Sequence, residues 1–256
     1  MQALIQQTLT ALEAREHIRI LLAAESGSRA WGFPSPDSDY DVRFIYVRPW
    51  QDYLRLEGRR DVIELPISDL LDVNGWDLDK TLKLLYRSNP TLFEWFSSPI
   101  VYRSTPFAEK FIPFMQPYFS TKRGLWHYLS MAKSNYHEFL KGNHLVKLKK
   151  YFYVLRPILA CRWIMHRNTP PPMNFSDLAA TELPPSLRPI VTDLLTQKIN
   201  APEIKLIPPI QELNTYLEAS IEAIKAEIQN LPNAPAPDWG DLNALFLSEV
   251  QSPQKG

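Results

Sequence analysis

The chain has 256 residues, with 28 Lys and Arg balanced by 28 Asp and Glu. That length buries a substantial core, and the balance excludes the broad basic field of an unspecific nucleic-acid binder. A single cysteine excludes an internal disulfide and suits a reducing compartment. No apolar run reaches the length of a membrane span, so a cytoplasmic protein without membrane contact is expected.

Leu4, Leu9 and Leu12 open the chain with a helical apolar stripe. An apolar run over residues 17–24 then reads as a buried strand. Gly27-Ser28 turns the chain sharply into a short helical segment around Arg29-Ala30-Trp31-Gly32. Such a turn aims backbone N–H groups and a hydroxyl at one spot, which suits a phosphate. A Pro-rich loop over 33–37 leads through Ser38-Asp39-Tyr40-Asp41 into a second strand over 42–47. Residues two apart share a strand face, so Asp39 and Asp41 present adjacent carboxylates. Adjacent anions repel, and a divalent cation between them resolves the repulsion. Aspartate oxygens suit Mg²⁺, which keeps positions open for substrate phosphates. The plainer alternative is that Asp37, Asp39 and Asp41 only cap a hairpin.

Residues 50–54 suggest a helical turn, 61–66 a third strand ended by Pro66, and 67–73 a candidate fourth. Leu78, Leu82 and Leu85, with Lys80, Lys83 and Arg87 opposite, predict an amphipathic helix capped by Asn74 or Asp77. Asn89-Pro90 breaks it before a short helix over 91–97. Beyond Tyr102 strand signals fade. An apolar stretch over 107–118 is interrupted by Pro113 and Pro117, and long helices over 126–141 and 144–167 meet at Gly142-Asn143. Helices over 186–198 and 211–231 follow, then a Pro-rich hinge over 232–238 and an amphipathic end over 239–250. The expected class is α+β: a module over 1–103 with a mixed sheet and flanking helices, followed by a helical bundle over 104–256 packed against it.

The elements Gly27-Ser28, Gly32, Ser38-Asp39 and Asp41 resemble the G-S…G…S-D-x-D signature of the DNA-polymerase-β-like nucleotidyltransferase superfamily. More narrowly, the stretch from Glu25 to Gly32 is similar to the predicted nucleotidyltransferase family that includes RNA-ligase-associated members. Gly75-Trp76-Asp77-Leu78, Ser88-Asn89-Pro90, Glu94-Trp95 and Ser98-Pro99 carry the same similarity. It extends through residues 150–157, roughly the first two thirds of the chain. The resemblance implies a mixed sheet joined to a helical region, and Mg²⁺-dependent transfer of a nucleoside monophosphate from an NTP, ATP favoured, to an acceptor hydroxyl. The association with RNA ligases favours an RNA end as acceptor.

That chemistry is mostly positioning and charge neutralisation. Two metals roughly 3.5–4 Å apart need a third carboxylate beside Asp39 and Asp41. Asp69, Asp72, Asp77 and Asp79 are in range. Asp72, between Leu71 and Val73, is the most strand-like and is preferred, while Asp77 reads also as a helix cap and Asp79 as a first-turn acid. Ser28 would bond a phosphate oxygen, Gly27 allow close backbone approach, and Arg29 and Arg43 add positive charge. The densest basic segment spans 147–156. Helical spacing puts Lys149, Tyr153 and Arg156 on one face, and Lys147, Lys150 and Tyr151 on another. Leu148, Phe152, Leu155 and Leu159 form the buried stripe. Lys150 and Arg156 are candidate triphosphate contacts, and a plain solvated face is the alternative. Two other functions compete: nucleotidylation of a protein or small molecule, since neutral charge is no nucleic-acid signature, and a non-catalytic nucleotide-sensing or partner-binding module.

Overall fold

The computed structural model describes residues 1–67, 70–202, 204–232 and 237–252. They form two units. The first comprises Met1–Gly27, Asp39–Tyr118 and the described residues from 237 onward; the second comprises Ser28–Ser38 and those from 119 to 232.

Unit 1 is organised on a five-stranded mixed sheet in the order β3-β4-β2-β1-β5. Its strands are β1 (Arg19–Glu25), β2 (Tyr40–Val47), β3 (Val62–Glu64), β4 (Leu71–Asp77) and β5 (Val101–Ser104). β2 and β4 run parallel; the other neighbouring pairs are antiparallel. β1 and β2 are apolar with little alternation because both faces of these central strands are covered. On one face Ile20, Ala23, Phe44 and Tyr46 meet Ile5, Leu9 and Leu12 of α1 (Gln2–Glu16). Helices α4 (Leu78–Tyr86), α5 (Pro90–Phe96) and α6 (Pro106–Tyr118) also pack against the central strands. The short α2 (Gly27–Ala30) follows β1, and α3 (Trp50–Tyr53) follows β2. The last helix, α12 (Gly240–Gln251), returns to unit 1 and packs on α4.

Several expectations for this unit change. The fourth strand lies over Leu71–Asp77 rather than 67–73, and Asn74-Gly75 sits inside it. Gly75 is required there for space, since a Cβ would come within 2.2 Å of the Phe44 ring. Of the two caps expected for α4, Asp77 is the one used, its side chain accepting from the Asp79 N–H. β5 was not anticipated, being a four-residue edge strand. α6 continues through Pro113 and Pro117 without a break.

Unit 2 is helical: α7 (Thr121–Asn135), α8 (Lys149–Arg167), α9 (Phe175–Glu182), α10 (Arg188–Ile199) and α11 (Gln211–Asn230). A π-helical segment, Tyr136–Leu140, continues α7. The helix expected from residue 144 begins only at Lys149, because β6 (Val146–Lys147) pairs with β7 (Leu206–Ile207). α8 is the core of the unit, packed against α7, α9 and α11. Its stripe of Leu148, Phe152, Leu155 and Leu159 is buried as expected. Tyr151 and Arg156, expected on basic faces, are buried too, because helices surround the middle of α8. Among the described residues no helix is long and apolar enough to cross a membrane.

Candidate active site

Parallel pairing of β2 with β4 sets Asp41 directly beside Asp72. Neighbouring strands lie about 4.8 Å apart, so two carboxylates in this register stand side by side. Arg43, two residues after Asp41 and hence on the same face, bridges them. Its Nη2 donates to Asp41 Oδ1 at 2.9 Å and to Asp72 Oδ2 at 2.7 Å, while Nη1 donates to the Asp72 carbonyl at 3.2 Å. The three side chains are partly open to solvent, Arg43 at 18%, Asp41 at 28% and Asp72 at 30%.

Glu25, at the end of β1, fixes this corner from beneath. It is fully buried, and its Oε1 accepts the Asp41 backbone N–H at 2.6 Å. The Tyr102 hydroxyl donates to its Oε2, and Ser98 Oγ donates to its carbonyl at 2.7 Å. The Asp41 carbonyl in turn accepts the Ser26 N–H at 2.8 Å. Gly27 follows at φ 60°, and a Cβ there would lie 2.1 Å from Asp41 Oδ2. Only glycine lets the backbone pass so close to that carboxylate.

The remaining residues singled out in the sequence are placed as follows. Asp39 is exposed and immediately precedes β2. Asp69 lies outside the described residues. Asp77 is wholly buried at the other end of β4, where the Tyr53 hydroxyl donates to it at 2.8 Å and Arg48 and Arg59 lie 3.6 and 3.8 Å away. Burial first, then the Asp79 charge, raises its pKa to about 6. In unit 2, Ser28 Oγ donates to Ser38 Oγ at 3.1 Å, and Arg29 donates to the Ser38 carbonyl at 2.8 Å. Lys150 Nζ stands 3.4 Å from the centre of the Phe139 ring. Arg156 is buried, donates to the Met173 carbonyl at 3.1 and 3.3 Å, and lies over the Trp31 ring. Trp31 is thus a packing residue, with Tyr153 edge-on to it.

Sequence reasoning missed Glu25 as the brace of Asp41 and read Arg43 only as added positive charge at the phosphate site. The signal for both was present: an acid ending an otherwise apolar strand, and a cation at strand spacing from a carboxylate. Among the described residues no three or more His, Cys, Asp and Glu side chains converge as a metal cluster. The Asp41/Asp72 pair nevertheless fits a hard cation. Its donors are all carboxylate oxygens, partly solvated, and already drawn onto one positive group.

A family model, RNA repair pathway DNA polymerase beta family (RlaP), matches residues 1–248, and the chain belongs to that family. It is 44% identical over 254 residues to the uncharacterized protein YcgL of Bacillus subtilis, covering 98% of this chain and 97% of that one. The crystal structure of a nucleotidyltransferase-like protein from Exiguobacterium sibiricum also matches, at 11% identity and a TM-score of 0.32, over 98% of this chain and 81% of the other. Membership of a polymerase-β-like family points to nucleotidyl transfer, and such proteins generally use divalent metals.

Proposed function

We propose that this protein transfers a nucleoside monophosphate from an NTP, ATP favoured, to an acceptor hydroxyl, with an RNA end as the acceptor. The observation that carries the reading is the side-by-side placement of Asp41 and Asp72 around one cationic group. Asp41 and Asp72, joined by Asp39 from the preceding loop, would hold Mg²⁺, which when bound neutralises triphosphate charge and lowers the acceptor's pKa. Asp41 is held rigid through its backbone by Glu25, so its carboxylate needs little reorganisation to serve as a ligand. Asp72 is open enough to receive the acceptor's proton, with Arg43 orienting it. Gly27 and Ser28 are the candidate phosphate contacts, with Arg29 beside them in sequence. The reading does not use Arg156, whose guanidinium is held by the Met173 carbonyl. The family's description as an RNA repair component supports the RNA acceptor.

A second reading has one observation in its favour. Arg43 already neutralises both carboxylates, as it would in a non-catalytic nucleotide-binding module. One assay separates the two. The full chain is given Mg²⁺, ATP labelled at the α-phosphate, and RNA with a free 3′ hydroxyl. Labelled RNA and released pyrophosphate are expected, and Asp41→Asn should cost at least about a hundredfold in rate, ~2.7 kcal/mol of barrier. Label on the protein itself would move the acceptor to a side chain. Undiminished transfer by the Asp41→Asn/Asp72→Asn double variant would sink the reading.

A further inference from the structure

Lys198 stands in the last turn of α10, on the face that buries Val191 and Leu194. It is 3% exposed, and a lysine takes such a place only where polar groups meet its ammonium. Here the ammonium donates to Ser35 Oγ at 2.8 Å and lies 5.4 Å from the centre of the Phe33 ring. The Ser35 hydroxyl in turn donates to the Lys198 carbonyl at 3.3 Å. That carbonyl is one of the terminal ones for which a helix has no donor of its own. Ser35 is therefore clasped twice, by the side chain and the backbone of one residue.

What is clasped is the turn that carries Ser38. The Ser38 N–H donates to the Ser35 carbonyl at 3.1 Å, and the Ser35 N–H donates back to Ser38 Oγ at 2.8 Å. Pro34 and Pro36 flank Ser35 and stiffen the loop on both sides. Ser38 is buried, and its Oγ meets the half-buried Ser28 Oγ at 3.1 Å. Either hydroxyl can supply the proton of that contact. Because Ser38 Oγ accepts the Ser35 N–H, it can give its own proton to Ser28 when a phosphate oxygen draws the Ser28 proton away. All of these groups belong to unit 2.

We propose that Lys198 is a positioning residue for the triphosphate, holding the Ser28 hydroxyl as a phosphate donor through Ser35 and Ser38. The proposal rests on the reading of Ser28 as a phosphate contact and adds the residue that sets it. Lys198 is itself enclosed and acts only through Ser35. Partners buried with the hydroxyl keep it ordered before the nucleotide arrives, which lowers the cost of binding. A phosphate contact of this kind serves the ground state and the transition state alike, so its loss raises KM and spares kcat.

The test uses the full chain. Calorimetry with ATP and Mg²⁺, without acceptor, gives Kd, and the RNA transfer assay gives KM and kcat. Lys198→Met keeps the side chain's length and removes the donor, while Ser35→Ala keeps the ammonium and removes the link. Each is expected to raise Kd and KM at least about fivefold, with kcat within about twofold of the wild type. In a Ser28→Ala background either change should add less than about twofold, because its effect passes through Ser28. Circular dichroism checks the fold. Should Lys198→Met not fold, Ser35→Ala and its cycle with Ser28→Ala decide by the same criteria. Unchanged ATP affinity in Ser35→Ala overturns the inference, since Lys198 would then act by charge alone or not at all. Full additivity with Ser28→Ala also overturns it, as the mark of a general structural loss. If the wild type binds no ATP, the phosphate reading falls and the inference with it. If the wild type binds ATP but transfers nothing, only the transfer reading falls, and the Kd values still decide on Lys198.

Discussion

Gly27 and Asp77 show how much of this chemistry rests on single residues. Gly27 combines a left-handed backbone with a carboxylate oxygen where its Cβ would be. Gly27→Ala is therefore expected to lose about 1–2 kcal/mol from the backbone alone, and more from displacing Asp41 off Arg43. Urea denaturation measures the first loss, and loss of transfer activity reports the second. Asp77 is a different case, a buried acid raised from 3.8 to about 6 by its surroundings. Arg48, Arg59 and the Tyr53 hydroxyl favour its anion, while burial and Asp79 oppose it more strongly. A folded pKa above the ordinary value means that the folded protein binds the proton more tightly than the unfolded chain. Its contribution to stability is present below about pH 4 and is lost as pH rises through about 6. Asp77→Asn keeps a cap acceptor but does not titrate. The stability of the variant relative to the wild type should therefore rise between pH 4 and pH 7, read from urea midpoints. A flat difference would mean that Asp77 keeps one protonation state throughout.

Among the elements, α8 departs most from its apparent face pattern. Arg156 looks like part of a basic stripe, yet its guanidinium serves the Met173 carbonyl and the Trp31 ring inside unit 2. Arg156→Ala is expected to cost roughly 2–5 kcal/mol in chemical denaturation, from the cavity and an orphaned carbonyl. A loss below about 0.5 kcal/mol, the range of a surface change, would refute the buried role. β1, β2, the Gly27-Ser28 turn and the Asp77 cap were legible because each is dictated by a few neighbouring residues. Other features were set by partners distant in the chain. The need for Gly75 shows only once Phe44 is seen against it, and β6 exists only because β7 pairs with it. Asp72 could be chosen among four acids from its apolar neighbours, but its pairing with Asp41 depends on strand register, and Glu25 on Tyr102 and Ser98, which local pattern does not encode. Asp39 was expected on the strand beside Asp41 and precedes it instead.

Across the whole molecule, unit 1 is closed by residues from both ends of the chain. α12 buries Leu242 and Leu245 and inserts Glu249, 3% exposed, between Arg19 at 3.2 Å and Lys110 at 2.8 Å. The Tyr118 hydroxyl donates to the Asp238 carbonyl at 2.6 Å, and Trp239 stacks on Tyr86. Two buried leucines are worth about 1.5–3 kcal/mol each, and loss of Glu249 would leave two cations without their shared partner. Terminating the chain after Leu231 should therefore weaken unit 1 selectively. Hydrogen exchange would show faster opening in β1, α4 and α6. Protection in α7, α8 and α11 should hold, because their core draws on residues up to 231 and none from α12. Uniform loss across both units would mean that α12 stabilises the chain as one cooperative body. Unchanged protection in β1, α4 and α6 would mean that its contacts contribute nothing measurable.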